Sequence, residues 1–125
     1  MHRLATFTIV FLQLIPALSV RLYAAGTRGT VASLFLRIDA EGSGKLTLVD
    51  SSTECGGAPS WLTLDEDNRI LYCIDDTTSG RGSVHSYGVS GDGDLVHVDS
   101  INTPIGPVSS TLYNASNSQR LAIAF

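Results

Sequence analysis

Short stretches of alternating hydrophobic and polar residues recur along this chain at a fixed spacing. Three related segments carry the repeat: RLYAAG (21–26), ILYCID (70–75) and RLAIAF (120–125). Their leucines, Leu22, Leu71 and Leu121, are 49 and 50 residues apart. Such alternation is typical of β-strands with one buried face. A fixed period of this length indicates a repeat architecture.

Each of the first two segments is followed by three further predicted strands. The second strands are 30–39 and 83–90, the third 45–52 and 94–101, and the fourth 59–65 and 108–114. Turns rich in glycine and acidic residues, AEGSGKL and GDGDL, separate the second strands from the third and favour hairpins.

Four strands per repeat, with no helical periodicity after residue 20, predict an all-β fold of β-propeller blades. We expect blade 1 at about 21–69, blade 2 at about 70–119 and the first strand of blade 3 at 120–125. An immunoglobulin-like sandwich fits the chain length but does not predict two aligned copies.

The first nineteen residues have the pattern of a secretory signal peptide. His2 and Arg3 precede an uncharged stretch from Leu4 to Val20, and Ala17-Leu18-Ser19 is a small-x-small cleavage signal. An uncleaved membrane anchor is the alternative, although Gln13 and Pro16 weaken it. We therefore expect residues 1–19 to be removed and the mature protein to be extracellular, without stable membrane association.

Secretion affects the interpretation of the two cysteines and of one asparagine. Cys55 and Cys73 are expected to form a disulfide in an oxidising compartment, with Cα atoms about 4.4–6.8 Å apart. Two buried free thiols are the alternative. Asn114-Ala115-Ser116 is an N-glycosylation sequon, which predicts a surface position for Asn114.

The charge of the chain excludes one class of partner. A net charge of −4 and the absence of a lysine or arginine cluster argue against nucleic-acid binding. The glycines form neither a phosphate-binding loop nor a dinucleotide fingerprint, and no serine lies in a nucleophile elbow.

Residues 59–75 (PSWLTLDEDNRILYCID), 106–114 (GPVSSTLYN) and 120–125 resemble the fungal lactonase family of seven-bladed propellers. That family is similar to 6-phosphogluconolactonase of the bacterial propeller type and to 3-carboxymuconate cyclase. The resemblance covers about residues 21–125 and implies opening or closing of a lactone ring on a small lactone or carboxylate substrate, without metal or nucleotide.

In the cyclase branch, the resemblance implies that the catalytic His, Glu and Arg side chains come from blades after the second. None of them can be placed on this sequence. We therefore expect an N-terminal piece of a larger propeller, without a complete active site. A non-catalytic propeller that binds protein or carbohydrate is the alternative.

Several polar residues could have a functional role, and each of them also has a purely structural interpretation. Asp65, Glu66, Asp67 and Asn68 could bind Ca²⁺, but a solvated turn is favoured because the ligand number and spacing do not match known loops. Asp75 and Asp76 could form an acid/base pair near the channel, but we favour a strand-end cap.

For several basic and aromatic residues, a structural interpretation is also favoured. Arg28, Lys45 and Arg81 could hold an anion but are favoured as exposed loop or surface residues. His85 shares a strand face with Tyr87 and is expected to be packed or at the surface, and Trp61 is expected to pack between blades.

Overall fold

A computed structural model describes residues 17–77, 80–104, 106–116 and 118–125, and those residues form strands and turns without a helix. The strands are β1 (Leu18–Ala25), β2 (Val31–Ile38), β3 (Gly44–Ser52), β4 (Pro59–Asp65), β5 (Ile70–Asp75), β6 (Ser83–Val89), β7 (Leu95–Asn102), β8 (Ser109–Ala115) and β9 (Ser118–Ala124). In these ranges, accordingly, no helix has the length and apolar character needed to cross a membrane.

The strands form three antiparallel sheets in chain order. The first sheet is β1-β2-β3, the second is β4-β5-β6-β7 and the third is β8-β9. We call them sheets 1, 2 and 3. Within each sheet, every strand pairs with its neighbour in sequence, as in the meander of a propeller blade. The predicted all-β blade architecture is confirmed.

The predicted blade boundaries are wrong by one strand. Residues 59–65 were expected to close the first blade, but β4 pairs with β5, with Asp65 opposite Ile70, and so opens sheet 2. In the same way β8, expected to close the second blade, opens sheet 3. A repeat period gives the spacing between equivalent strands, but it does not determine which strand of the period begins a sheet.

The same shift changes the position of β5. The sequence repeat places Asp75 near the channel, but β5 is the second strand of sheet 2 and lies between β4 and β6. The strand at the sheet edge is β4, which contacts β8 of sheet 3 and β1 of sheet 1. In a propeller, the edge strands that meet across neighbouring blades in this way line the centre.

The core lies where sheet 1 covers one face of sheet 2. Its buried side chains come from β2, from the β3–β4 loop and from β5, β6 and β7: Val31, Cys55, Leu71, Cys73, Tyr87, Val89 and Leu95. On β6, every second residue, Ser83, His85, Tyr87 and Val89, is buried on this face, and Val84 is buried as well.

Polar contacts join the sheets at their edges. The Leu95 N–H donates to Oδ2 of Asp50 at 2.8 Å, which links β7 to β3. On the other side of sheet 2, the Thr63 and Ser110 hydroxyls lie 2.7 Å apart and link β4 to β8. The three sheets therefore contact one another in sequence order.

The predicted signal peptide, residues 1–19, lies mainly outside the described residues. Of its last positions, Leu18 and Ser19 begin β1 and pair with Ile38 and Arg37. Cleavage near Ser19 stays a prediction.

The predicted disulfide is present. Cys55, in the β3–β4 loop, is bonded to Cys73 on β5, and the Cα atoms are 6.2 Å apart. Both residues are completely buried in the core between sheets 1 and 2. The bond therefore joins the loop that enters β4 to the middle of sheet 2.

Replacing both cysteines by serine should lower the free energy of unfolding by about 3 kcal/mol, because the bond closes a short loop in the unfolded chain. Urea unfolding of the wild-type protein and of the Cys55→Ser/Cys73→Ser variant measures the difference. Dithiothreitol should destabilise the wild-type protein and leave the variant unchanged. Equal unfolding midpoints for the oxidised protein and the variant would contradict this role.

Candidate functional site

Four polar side chains form a continuous hydrogen-bonded chain on the covered face of sheet 2. Asp75 ends β5, Ser83 and His85 begin β6, and His97 lies on β7. The Ser83 hydroxyl is 3.2 Å from Oδ2 of Asp75 and 2.9 Å from Nε2 of His85. Nδ1 of His85 is 3.2 Å from Nε2 of His97. We call this set the polar chain.

Asp75 is the most heavily hydrogen-bonded member of the polar chain. The backbone N–H groups of Gly57 and Ala58 donate to its Oδ1 at 3.1 and 2.7 Å. The Thr77 hydroxyl is 2.7 and 2.6 Å from the two oxygens. Asp75 is only 3% exposed. One carboxylate therefore ties the β3–β4 loop to the ends of β5 and β6.

The protonation state of Asp75 follows from these contacts. Burial acts to raise the pKa of its carboxyl, but hydrogen bonds from Thr77, Ala58, Ser83 and Gly57 outweigh burial and hold the pKa below its ordinary value. Asp75 is therefore an ionised acceptor near neutral pH.

Gly56 allows this carboxylate to approach the loop. It has a φ of 61°, in the left-handed region that favours glycine. A Cβ at this position would also collide with the side chain of Asp75. The preference for glycine here has both a conformational and a steric cause.

His85 is buried and neutral. Burial lowers the pKa of its imidazole and the neighbouring His97 lowers it further, while Asp75 and Glu54 act in the opposite direction. The Tyr87 ring meets His97 edge-on, with centroids 5.3 Å apart. The sequence favours a packed or surface position for His85, and the structure places it in the interior together with Tyr87.

The polar chain differs from a catalytic triad in two ways. The serine lies between the carboxylate and the imidazole, whereas in a triad the imidazole lies between the carboxylate and the serine. Ser83 is also only 8% exposed, under sheet 1, where a substrate cannot reach its hydroxyl. The geometry supports a structural role, which is to hold the loop that enters β4.

The sequence favours Asp75 as a strand-end cap that faces solvent, with an acid/base pair with Asp76 as the alternative. It does cap the end of a strand, but it does so as a buried side chain with partners that the sequence pattern did not reveal. The involvement of His97 was also missed. It depends on the strand register, which places His97 directly opposite Tyr87 across β6 and β7 and so on the face of His85.

The acidic segment Asp65–Asn68 leads into a turn, as favoured, but Asp65 itself is buried and not solvated. The Asn68 backbone N–H donates to Oδ1 of Asp65 at 3.0 Å, and its side-chain amide donates to Oδ2 at 2.8 Å. With its amide oriented by its partners, Gln119 of β9 donates to the same two oxygens at 2.9 and 3.0 Å. Within the described ranges, no three His, Cys, Asp or Glu side chains are grouped to hold a metal.

The three basic candidates are exposed and do not share one end of a sheet. Arg28 and Arg81 lie in the loops after β1 and β5, the strands that carry the first two repeated segments of the sequence. Lys45 lies at the start of β3, beside the β2–β3 turn and therefore at the opposite end of sheet 1 from Arg28. The structure thus does not bring Lys45 to a site with Arg28.

Trp61 lies on β4 and is 47% exposed. It lines a cavity of about 370 Å³ together with residues 109–111 of β8 and 122–124 of β9. Its position between sheets 2 and 3 agrees with the predicted packing between blades, although about half of the side chain stays open to solvent.

The comparison with protein families decides the identity of this fold. The model of the family "Lactonase, 7-bladed beta-propeller" matches residues 20–124. This chain belongs to that lactonase family. The match begins beside the predicted signal peptide and spans all three sheets. No curated protein matches this lactonase-family chain.

Removal of the Asp75 carboxylate should destabilise the protein strongly. An Asp75→Asn variant keeps the size of the side chain but places an amide nitrogen among buried donors, at an expected cost of about 2 kcal/mol or more in the free energy of unfolding. Asp76→Asn is the matched control, and we expect a change within about 0.5 kcal/mol there. Equal effects of the two substitutions in urea unfolding would contradict the assigned role.

The same variant tests the ionisation of Asp75. Because the pKa of Asp75 is lower in the folded state, its contribution to stability is present above its unfolded pKa of about 3.9 and is lost as pH falls through the folded value. Asp75→Asn should therefore flatten the acid side of the stability–pH curve, whereas Asp76→Asn should leave that side unchanged.

Proposed function

We propose that this lactonase-family propeller acts on a lactone or a carboxylated ring substrate, of the 6-phosphogluconolactone or carboxymuconate type. The observation that supports the proposal is the family match over residues 20–124. Hydrolysis would add water to the ring ester carbonyl, break the acyl C–O bond and return a proton to the released hydroxyl. A cyclase of the carboxymuconate type instead adds a carboxylate oxygen of the substrate across one of its own carbon–carbon double bonds. This step forms an alkyl C–O bond, and a proton adds to the neighbouring carbon.

Either reaction needs a general acid/base and a group that stabilises negative charge on the carbonyl oxygen. Asp75, Ser83 and His85 are the most reactive set of side chains on the described residues, but they are buried and bonded to one another. We therefore propose no catalytic residue among them, and no metal or other cofactor.

A panel of lactones, assayed with the purified protein in its native assembled form, tests the proposal. Acid release in a pH-stat should exceed the uncatalysed rate for at least one γ- or δ-lactone or phosphorylated lactone. Formation of a lactone from a carboxymuconate should be followed by its ultraviolet absorbance.

Asp75→Asn supplies a control for this assay. If the activity belongs to this chain, turnover and β-structure should be lost at the same urea concentration, and the variant should shift both losses together. Activity that survives unfolding of the chain comes from a contaminant and contradicts the proposal. Binding of a lactone or a carbohydrate without turnover would replace the proposal with the non-catalytic alternative.

We also propose that the protein is secreted. The leader pattern of residues 1–19 supports this, and the disulfide between Cys55 and Cys73 is compatible with it. Asn114 is exposed near the end of β8, and Ser116 of its sequon lies in the following turn. The asparagine is therefore accessible to a glycosyl group in the folded protein.

Expression in a eukaryotic secretory host should yield protein that begins near Val20 and carries one N-linked glycan. Peptide-N-glycosidase treatment should reduce the mass of the wild-type protein, and Asn114→Gln should abolish that reduction. Asn102→Gln serves as the control, because Asn102 is exposed but belongs to no sequon. Retention of Met1 in the medium, or no loss of mass, would contradict the assignment.

A further inference from the structure

His85 and His97 form a pair to which the proposed activity assigns no role. His85 is 9% exposed on β6, and His97 is half-buried on β7. The ring centroids are 5.4 Å apart, and Nδ1 of His85 faces Nε2 of His97 at 3.2 Å. A direct imidazole–imidazole hydrogen bond of this kind needs one donor and one acceptor, so it is sensitive to the number of protons on the pair.

The rest of the polar chain determines which nitrogen carries each proton. Ser83 donates its only hydroxyl proton to the Asp75 carboxylate, so it must accept a hydrogen bond from Nε2 of His85. Nδ1 of His85 is then unprotonated and accepts from Nε2–H of His97. Every donor in the chain points towards Asp75. This assignment follows from the network of partners.

An added proton has different effects at the two imidazole nitrogens that carry none. Nδ1 of His97 lies outside the polar chain, so a proton there leaves every hydrogen bond in place. A second proton can enter only at Nδ1 of His85. It would set two N–H donors against each other at a separation suited to one hydrogen bond, between two cationic rings.

The net effect of the groups around His85 is to oppose protonation of its Nδ1. Burial and His97 lower the pKa of His85, whereas the carboxylates of Asp75 on β5 and Glu54 in the β3–β4 loop act to raise it. Tyr87 on β6 is neutral, because burial raises the pKa of its phenol. His85 should therefore stay neutral under mildly acidic conditions in which an exposed histidine is charged.

We propose that the His85–His97 pair is an acid-sensitive switch between β6 and β7. The hydrogen bond between the two rings survives the addition of one proton to the pair and breaks when a second proton is added. Opening breaks the His85–His97 hydrogen bond and moves His97 away from the edge-on contact with Tyr87. The disulfide at Cys73, directly opposite His85 across β5 and β6, keeps the β3–β4 loop attached, so the change is local and reversible.

Acid should lower the stability of the folded protein through His85. Because the pKa of His85 is lower in the folded than in the unfolded state, the unfolded chain takes up a proton first as pH falls below about 6.5. The free energy of unfolding should decrease from there until pH reaches the folded pKa of His85.

Nuclear magnetic resonance of the imidazole nitrogens and of the Tyr87 ring, recorded from pH 8 downwards, tests the switch. His85 should take up its proton below the ordinary histidine range, together with a change in the Tyr87 resonances. Titration of His85 at the ordinary histidine value, or a Tyr87 signal that does not follow His85, would overturn the proposal.

His97→Gln provides the sharper comparison, because glutamine can donate to His85 or accept from it but cannot carry charge. His85 should then titrate about one pH unit higher, and Tyr87 should no longer follow it. Ser86→Ala, on the opposite face of the same strand, should behave as the wild-type protein. An unchanged His85 titration in His97→Gln would show that the two rings act separately and would overturn the switch.

Discussion

The carboxylate of Asp75 accepts hydrogen bonds from three parts of the chain that are far apart in sequence or belong to different strands. The β3–β4 loop donates through Gly57 and Ala58, the segment after β5 donates through Thr77, and β6 donates through Ser83. That loop carries the chain from sheet 1 to the edge strand of sheet 2. Because the disulfide fixes the same loop at Cys55, a covalent bond and an ionised acceptor together set the position at which β4 begins. The packing of sheet 1 on sheet 2 depends on that position.

This arrangement explains why the most reactive-looking residues of the chain form no active site. An aspartate, a serine and two histidines linked by hydrogen bonds suggest catalysis. They are buried, however, and their order directs each donated proton of the polar chain into a hydrogen bond within the fold. The lactonase family is shown by the match over residues 20–124, whereas the reaction remains the proposal made above. One fold can support many chemistries, so family membership constrains the substrate class less than it constrains the architecture.

Strand positions could be predicted well from sequence, because alternation and turn residues are local signals. The predicted limits of β4 and β5 agree with the structure, and the pairing of Cys55 with Cys73 followed from the oxidising compartment alone. The sheet boundaries could not be predicted in the same way, since a 49-residue period looks the same whichever strand comes first. The partners of Asp75 were also out of reach. They depend on a loop conformation that only Gly56 permits and on cross-strand register, neither of which a single sequence displays.

Hydrogen exchange at the Gly57 and Ala58 amides tests the central claim most directly, since both groups donate to Asp75. The structure predicts strong protection near neutral pH, in the range of the core amides of β5 and β6, and a selective loss of protection when Asp75 is protonated or replaced by asparagine. Exchange at the rate of an unstructured peptide near neutral pH would contradict it, and would show that the carboxylate does not hold the loop.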